Sequence, residues 1–222
     1  DDAEVLELTD WLCPESFTVE CEDGTGDVET IFLEPGEDLA DQLCDELELS
    51  VNEPGPFALG THEIVVTAEG SDDEGNPLVE QCVAELQVLD TEPPVAEERI
   101  IELWPPNHKM HSISIEDCAN VHDDCDQELD VYFLGAASDE PVNDKGDGNT
   151  EPDIILGCHE AQVRAERQGG GDGRVYSLSW RAVDDEGLAV EGSCQVLVPH
   201  DQSGEPAVGE PLQPTITTSD CD

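Results

Sequence analysis

Apolar residues recur along this chain at every second position, in short runs broken by Gly, Pro, Asn and Asp. Alternation of period two puts one face of an extended strand in a core and the other in water. Three stretches show it best. In residues 61–68 (THEIVVTA), Ile64, Val66 and Ala68 share a face. In residues 81–89, Cys82, Ala84, Leu86 and Val88 point one way, while Gln81, Glu85 and Gln87 point the other. In residues 174–183, Tyr176, Leu178, Trp180 and Ala182 line up, and Trp180 reads as a core anchor. Residues 4–9, 17–21, 28–34 and 46–51 add shorter strands, as do residues 99–103, 111–116, 129–134 and 161–167. No amphipathic helix of useful length intervenes. The pattern predicts an antiparallel β-sandwich built from short strands.

The chain also repeats itself. Asp72, Asp73, Glu74 and Gly75 precede Cys82 at the spacing with which Asp184, Asp185, Glu186 and Gly187 precede Cys194, and Cys44-Asp45 matches Cys125-Asp126. Two units follow, residues 1–92 and 93–202, joined at the stiff pair Pro93-Pro94. They differ mainly in residues 137–172, an insertion rich in Asp and Gly. Residues 203–222 are rich in Gly, Pro, Glu, Ser and Thr, too polar to order themselves, and read as a disordered or extended tail. The expected fold is therefore all-β: two tandem sandwiches and a tail.

Charge narrows the partners. Fifty-six acidic residues against 7 basic ones give −49, and no Lys or Arg precedes Arg99. Such a surface repels nucleic acid and anionic lipid, and needs counterions to stay compact. Divalent cations or a saline habitat would each meet that need. No apolar run approaches the roughly 20 residues of a membrane helix, so direct membrane insertion is not expected. The chain begins without a basic and apolar leader, the sign of a mature product or a fragment. Its 9 cysteines show no C-x-x-C pair, so disulfides in an oxidising compartment are the expectation rather than metal thiolates.

Two resemblances rest on particular motifs. Residues 5–95 carry Cys13-Pro14, Leu59-Gly60-Thr61-His62, Asp73-Glu74-Gly75-Asn76 and Val88-Leu89-Asp90-Thr91-Glu92-Pro93-Pro94, and resemble the hyalin-repeat module. Residues 96–202 carry Leu103-Trp104-Pro105-Pro106-Asn107-His108-Lys109-Met110, Ser138-Asp139-Glu140-Pro141-Val142, Arg164-Ala165-Glu166-Arg167 and Val198-Pro199-His200-Asp201-Gln202. They resemble an Ig-like module of large secreted or surface proteins of bacteria. The resemblance implies Ig-like sandwiches used for adhesion, spacing or display, outside the cell and without catalysis.

Four cysteines per unit allow three pairings. In a sandwich of this topology the loop holding Cys44, or Cys125, lies at the same end as the start of the last strand. This favours Cys44 with Cys82 and Cys125 with Cys194, leaving Cys13 with Cys21 and Cys118 with Cys158. Cys221 is then odd: a cross-link to another chain, a lipid attachment point, an end whose partner lies in a longer protein, or a free thiol.

The same topology suggests where calcium would bind. The loop between the last two strands of the second unit would face the connector, bringing Asp184, Asp185 and Glu186 towards Asp90 and Glu92, with Asp123, Asp124 and Asp126 on the neighbouring loop. Calcium takes about 6 to 8 oxygen ligands and would neutralise such a cluster. A solvated acidic turn is the plainer reading, since Asp and Gly are ordinary turn residues. A second loop, with Asp144, Asp147, Asn149 and Asp153, alternates Asp and Gly but lacks the EF-hand spacing.

Catalytic patterns are missing. His108 and His111 stand without a carboxylate at the spacing of a zinc enzyme, and no G-x-S-x-G occurs. No catalytic residue is assigned. The expected function is a non-enzymatic extracellular structural or adhesion pair, binding other surface proteins or copies of itself. The alternative is an accessory polymer- or carbohydrate-binding region of a secreted hydrolase, which would need exposed aromatic rings.

Overall fold

The structure is a computed structural model and describes residues 16–26, 48–53, 55–71, 76–143, 146–210, 216–218 and 221. It is almost entirely β. Contacts divide the chain into two compact units, Asp1–Thr91 and Glu92–Asp222. The strands expected at residues 4–9 and 28–34, and the turn Asp72 to Gly75, lie outside the described residues.

In the first unit, β1 (Ser16–Glu20), β3 (Glu48–Val51), β5 (Gly60–Ser71) and β6 (Pro77–Leu89) form one sheet in the order β1-β6-β5-β3. The long β5–β6 hairpin pairs Ile64 with Ala84 and Val66 with Cys82. Ile64, Val66, Ala84, Leu86 and Val88 are buried, so the alternation reads the inner face correctly. Cys82 is only half-buried. A second layer begins with β2 (Thr25–Gly26) paired to β4 (Phe57–Ala58). It packs so closely that a Cβ on Gly26 would lie 2.8 Å from Val19 and 2.9 Å from Val88, an approach only glycine permits.

The second unit is the fuller sandwich. One sheet takes β8 (Ile100–Glu102), β11 (Asp130–Ser138), β14 (Gly173–Val183), β15 (Ala189–Pro199) and β16 (Ile216–Thr217) in the order β16-β11-β14-β15-β8. A facing sheet has β9 (Met110–Ser114), β12 (Ile154–Leu156) and β13 (Glu160–Arg164) in the order β12-β13-β9. A ribbon pairs β7 (Val95–Glu98) with β10 (Ala119–His122). Tyr176, Leu178, Trp180 and Ala182 are fully buried on β14 and pack with Phe133, Ala161, Val163, Val196 and Val198. Trp180 is the core anchor its position predicts.

Both units depart from a purely antiparallel scheme in the same way. β1 runs parallel to β6, and β8 runs parallel to β15. A strand that opens a module and the strand that closes it are separated by the rest of the module, which supplies the long crossover that parallel neighbours require. The repeat seen in sequence thus extends to this shared pairing.

Three expectations change. The strand expected over residues 111–116 stops at Ser114, where helix α1 (Ile115–Cys118) begins. Ser114 and Asp117 form a reciprocal capping box, which outweighs the alternation of the preceding HSIS. The cysteine pairing also differs. Cys118, at the end of α1, bonds Cys194 on β15, and Cys158 bonds Cys221. Cys125–Cys194 and Cys118–Cys158 are thereby excluded, because the helix rather than the following loop delivers a cysteine to β15. Cys21, Cys82 and Cys125 are also disulfide-bonded. Cys13 and Cys44 lie outside the described residues. Finally, the tail joins the fold. β16 pairs with Gly135 and Ala136 of β11, and Thr218 N donates to Leu134 O at 3.1 Å. Ala207 is buried with Val175 and Leu197. A covalent tether at Cys221 lowers the entropy of ordering a segment that its composition alone would leave loose.

Candidate metal centre

Two acidic loops meet in the second unit. The loop after β10 contributes Asp123, Asp124 and Asp126. The β14–β15 turn contributes Asp184, Asp185 and Glu186. Asp123 is an Asx-type turn residue, and its Oδ1 accepts from Cys125 N at 2.7 Å and from Asp126 N at 3.1 Å. Asp184 closes the other turn in a similar way, its Oδ1 accepting from Leu188 N at 2.7 Å. The loops are joined where Asp126 Oδ2 accepts from Asp185 N at 3.0 Å. Carboxylate oxygens of Asp123 and Asp184 lie within 4.8 Å of each other, as do those of Asp126 and Glu186.

Asp184 is buried, and its Oδ2 has no hydrogen-bond partner. A buried oxygen of this kind costs free energy unless something neutralises it. The donors are all oxygens, the set that a hard cation such as calcium prefers. Asp124 and Asp185 are exposed. Asp90, buried, closes the first unit, and Glu92, exposed, opens the second.

The second acidic loop behaves differently. Asp144 lies outside the described residues. Asp147 is buried and its Oδ1 accepts from Asn149 N at 3.2 Å, while Asn149 itself is exposed. Asp153 turns its Oδ2 to Arg174 Nη1 at 2.7 Å. Among the described residues, no group of three metal-ligating side chains includes Asp147 or Asp153.

Arg174 is the centre of a buried ionic cluster in the second unit. It sits two residues before Tyr176, on the inward face of β14, and has no solvent exposure. Its Nε donates to Glu140 Oε2 at 3.0 Å, its Nη1 also reaches Tyr176 Oη at 3.0 Å, and its Nη2 donates to Pro141 O at 3.0 Å. Burial would lower the Arg174 pKa, but the neighbouring Tyr176 and Asp153 outweigh it and hold the guanidinium charged. Burial raises the Glu140 and Tyr176 pKa values against the pull of Arg174. The signal was present in phase: position 174 shares the parity of 176, 178, 180 and 182.

The histidines do not assemble a metal site. His108 Nδ1 lies 3.1 Å from Glu166 Oε2, and His111 Nε2 is buried without a partner. A groove of the second unit, about 790 Å³, is lined by polar side chains such as Arg99, Glu116 and Asn120 together with Ile115, Val121 and Leu129, and His159 supplies its one aromatic ring.

No protein-family model matches the chain, and no curated protein matches it. Solved structures do. The chain is similar to protocadherin gamma C5 domains EC1-3, with a TM-score of 0.35 and 16% identity over 71% of this chain and 53% of that one. It is similar to protocadherin gammaB7 domains EC3-6, in a cis-dimer structure, with a TM-score of 0.36 and 16% identity over 68% and 40%. Drosophila N-cadherin domains EC1-4 give 0.31 and 13% over 83% and 49%. The chain spans about half the length of these neighbours or less. Among the described residues, no helix is long and apolar enough to cross a membrane.

Proposed function

We propose that this chain is a non-enzymatic, extracellular structural or adhesion module pair, stabilised by disulfides and associated with calcium, that binds other surface proteins or copies of itself. The observation that carries the calcium reading is the meeting of the Asp123–Asp126 and Asp184–Glu186 loops around the unpartnered Asp184 Oδ2. Chemistry gives this arrangement its meaning. Six carboxylates with no basic residue in either loop repel one another in water, and a divalent ion bound between them would both cancel the repulsion and lock the loops.

The extracellular reading is supported by the disulfides, which persist in oxidising compartments, and by the resemblance to secreted modules. The adhesion reading follows from a sandwich without an assembled catalytic constellation among its described residues. Sedimentation velocity with calcium and with chelator, at equal ionic strength, tests it. Calcium-dependent dimers or longer assemblies support the reading, and a monomer under both conditions at high concentration opposes self-association.

A carbohydrate-binding role is less well supplied. Trp180 and Tyr176 are fully buried and Tyr132 nearly so, which leaves Trp104 as the exposed tryptophan among the described residues. The groove lined by Arg99 and His159 offers no Trp, Tyr or Phe ring for a sugar to stack on.

A further inference from the structure

The outer edge of β11 is closed by two short pieces of chain, and one disulfide joins them. Cys158, in the turn between β12 and β13, accepts from Phe133 N through its carbonyl at 2.7 Å. β16 takes the next stretch, with Thr217 opposite Gly135 and Ile216 opposite Ala136. Thr218 finishes the contact: its N–H donates to Leu134 O at 3.1 Å and its hydroxyl to Phe133 O at 2.6 Å. The register of β11 against β14 slips between Phe133 and Gly135, so Leu134 sits at a bulge with its carbonyl turned to the tail. β16 is two residues long and both are exposed. A pairing this small holds little by itself, so the Cys158–Cys221 bond is what keeps the tail in register.

That bond is open to chemistry from outside. Cys118 and Cys194 are sealed in the core, whereas Cys158 and Cys221 are each half-buried, within reach of a dissolved thiol. Beside β16 lies an apolar groove of about 460 Å³ whose lining includes Val142, Pro152, Ile154 and Ile216. Val142 is 53% and Ile216 46% exposed, large apolar side chains on a chain that carries −49. To the β11 edge, β16 of another copy is chemically identical to its own: it offers the same register, the same bonds and the same arrival of Cys221 beside Cys158. Exchange therefore keeps every contact, which makes it a low-cost route to a dimer. The tail is fixed as far as Gly209, because Ala207 is buried against Val175 and Leu197 and a Cβ on Gly209 would collide with Asp139. Only residues 210–215 are left to cross between copies, a reach of at most about 20 Å.

We propose that β16 is an exchangeable strand: in a dimer of this chain each copy lays its β16 on β11 of the other, and its Cys221 bonds the partner's Cys158. The inference rests on the proposed binding of this chain to copies of itself, for which it names the contact. Docking is by strand addition, with main-chain hydrogen bonds supplying affinity. The short crossing brings the second copy against the groove at Ile216, where it covers Val142 and Ile216.

The rearrangement is neutral in electrons. The thiolate of a small thiol such as reduced glutathione attacks Cys221 Sγ, forming a mixed disulfide as Cys158 leaves as a thiolate. β16, no longer tethered, parts from β11. When it docks on a second copy opened by the same step, the partner's Cys158 thiolate attacks Cys221 Sγ, the new S–S bond forms and the small thiolate leaves. Each bond within a chain is replaced by one between chains, and the thiol is returned. Repulsion between two acidic copies opposes their meeting, so salt favours the exchange.

The test mixes unlabelled and ¹⁵N-labelled full chain in concentrated sodium chloride with a catalytic amount of reduced glutathione. After acid quenching and alkylation, mass mapping of unreduced peptides reads whether the Cys158 and Cys221 of each cross-link carry the same isotope. The expected result is a mixed-isotope Cys158–Cys221 peptide, from a dimer whose ratio to monomer rises about tenfold for each tenfold in free monomer. Thr218→Pro removes the N–H and hydroxyl that hold Leu134 and Phe133, keeps every cysteine, and should abolish the mixed peptide. Same-isotope peptides alone at the highest concentration would overturn the proposal, as would Cys221 joined indiscriminately to other cysteines, or a mixed peptide that survives Thr218→Pro. Sedimentation of wild type and Cys221→Ser with calcium separates this inference from the wider reading. Assembly of both proteins alongside same-isotope peptides removes strand exchange and leaves self-association standing, whereas monomeric wild type under every condition removes both.

Discussion

Trp180 on β14 lies directly opposite Gly192 on β15, and the indole occupies the space that a side chain at position 192 would fill. A Cβ on Gly192 would run into the Trp180 ring and stand 2.8 Å from Glu98 Oε1. That carboxylate is already bonded to Ser193 N at 2.7 Å, so it has little freedom to move. The glycine is what allows the largest side chain of the core to close over the end of the sheet. Gly192→Val should overpack this site and cost about 1–3 kcal/mol. Trp180→Ala should leave a cavity and cost about 3–5 kcal/mol. Urea denaturation midpoints check both, and a neutral Gly192→Val would show that the indole does not depend on that space.

Arg174 makes a separate prediction. Arg174→Met removes the charge that Asp153, Glu140 and Glu166 share, and a broken buried ion pair typically costs about 3–5 kcal/mol. The loss should shrink as the pH falls, because carboxyls that gain protons no longer need the guanidinium. Arg174→Lys keeps the charge but loses the fork that reaches Glu140 and Asp153 together, so it should fall between Met and wild type. Denaturation at pH 5 and pH 7 separates the three.

The tail predicts a local rather than a global effect. Cys158 and Cys221 close a loop of 63 residues, and the strand they retain is only two residues long. Cys221→Ser should therefore release β16 while the central strands stay folded. Amide hydrogen exchange should quicken at Thr218, whose N–H bonds Leu134 O, and stay slow at Leu178 in the middle of β14. Unchanged protection at Thr218 would mean that the strand pairs without its tether.

The sequence was informative where one rule acted alone. Period-two alternation identified the buried faces of β6 and β14 because each strand presents one side to a continuous core. It misread residues 115–118, where a Ser114–Asp117 capping box turns the chain into a helical turn. That error carried into the disulfides, because α1 is what sets Cys118 against Cys194. The tail was unreadable for a different reason: composition records the entropy of a free segment and not the effect of a tether. The two acidic loops were legible as carboxylates at turns, but the Asp126 to Asp185 bond that joins them depends on three-dimensional placement. The parity of Arg174 with Tyr176 places it on the inward face of β14, whereas Glu166 lies past the end of β13, where no alternation marks it as buried.

Salt and calcium can be told apart. If the acidity only suits a saline medium, sodium chloride should stabilise the protein as well as calcium chloride at equal ionic strength, by general screening. A site built from Asp126 and Asp184 should instead respond to low calcium at fixed ionic strength, and Asp126→Asn and Asp184→Asn should each blunt that response.

The most direct measurement is the melting temperature of the intact chain at fixed ionic strength, with calcium and with chelator, in wild type and in Asp184→Asn. Binding to the folded state alone adds about 2.7 kcal/mol at a hundredfold excess over Kd, enough to raise Tm by several degrees. We expect that rise in wild type and a smaller one in the variant. Equal melting curves with calcium and chelator in wild type would contradict the calcium-associated reading of the acidic loops.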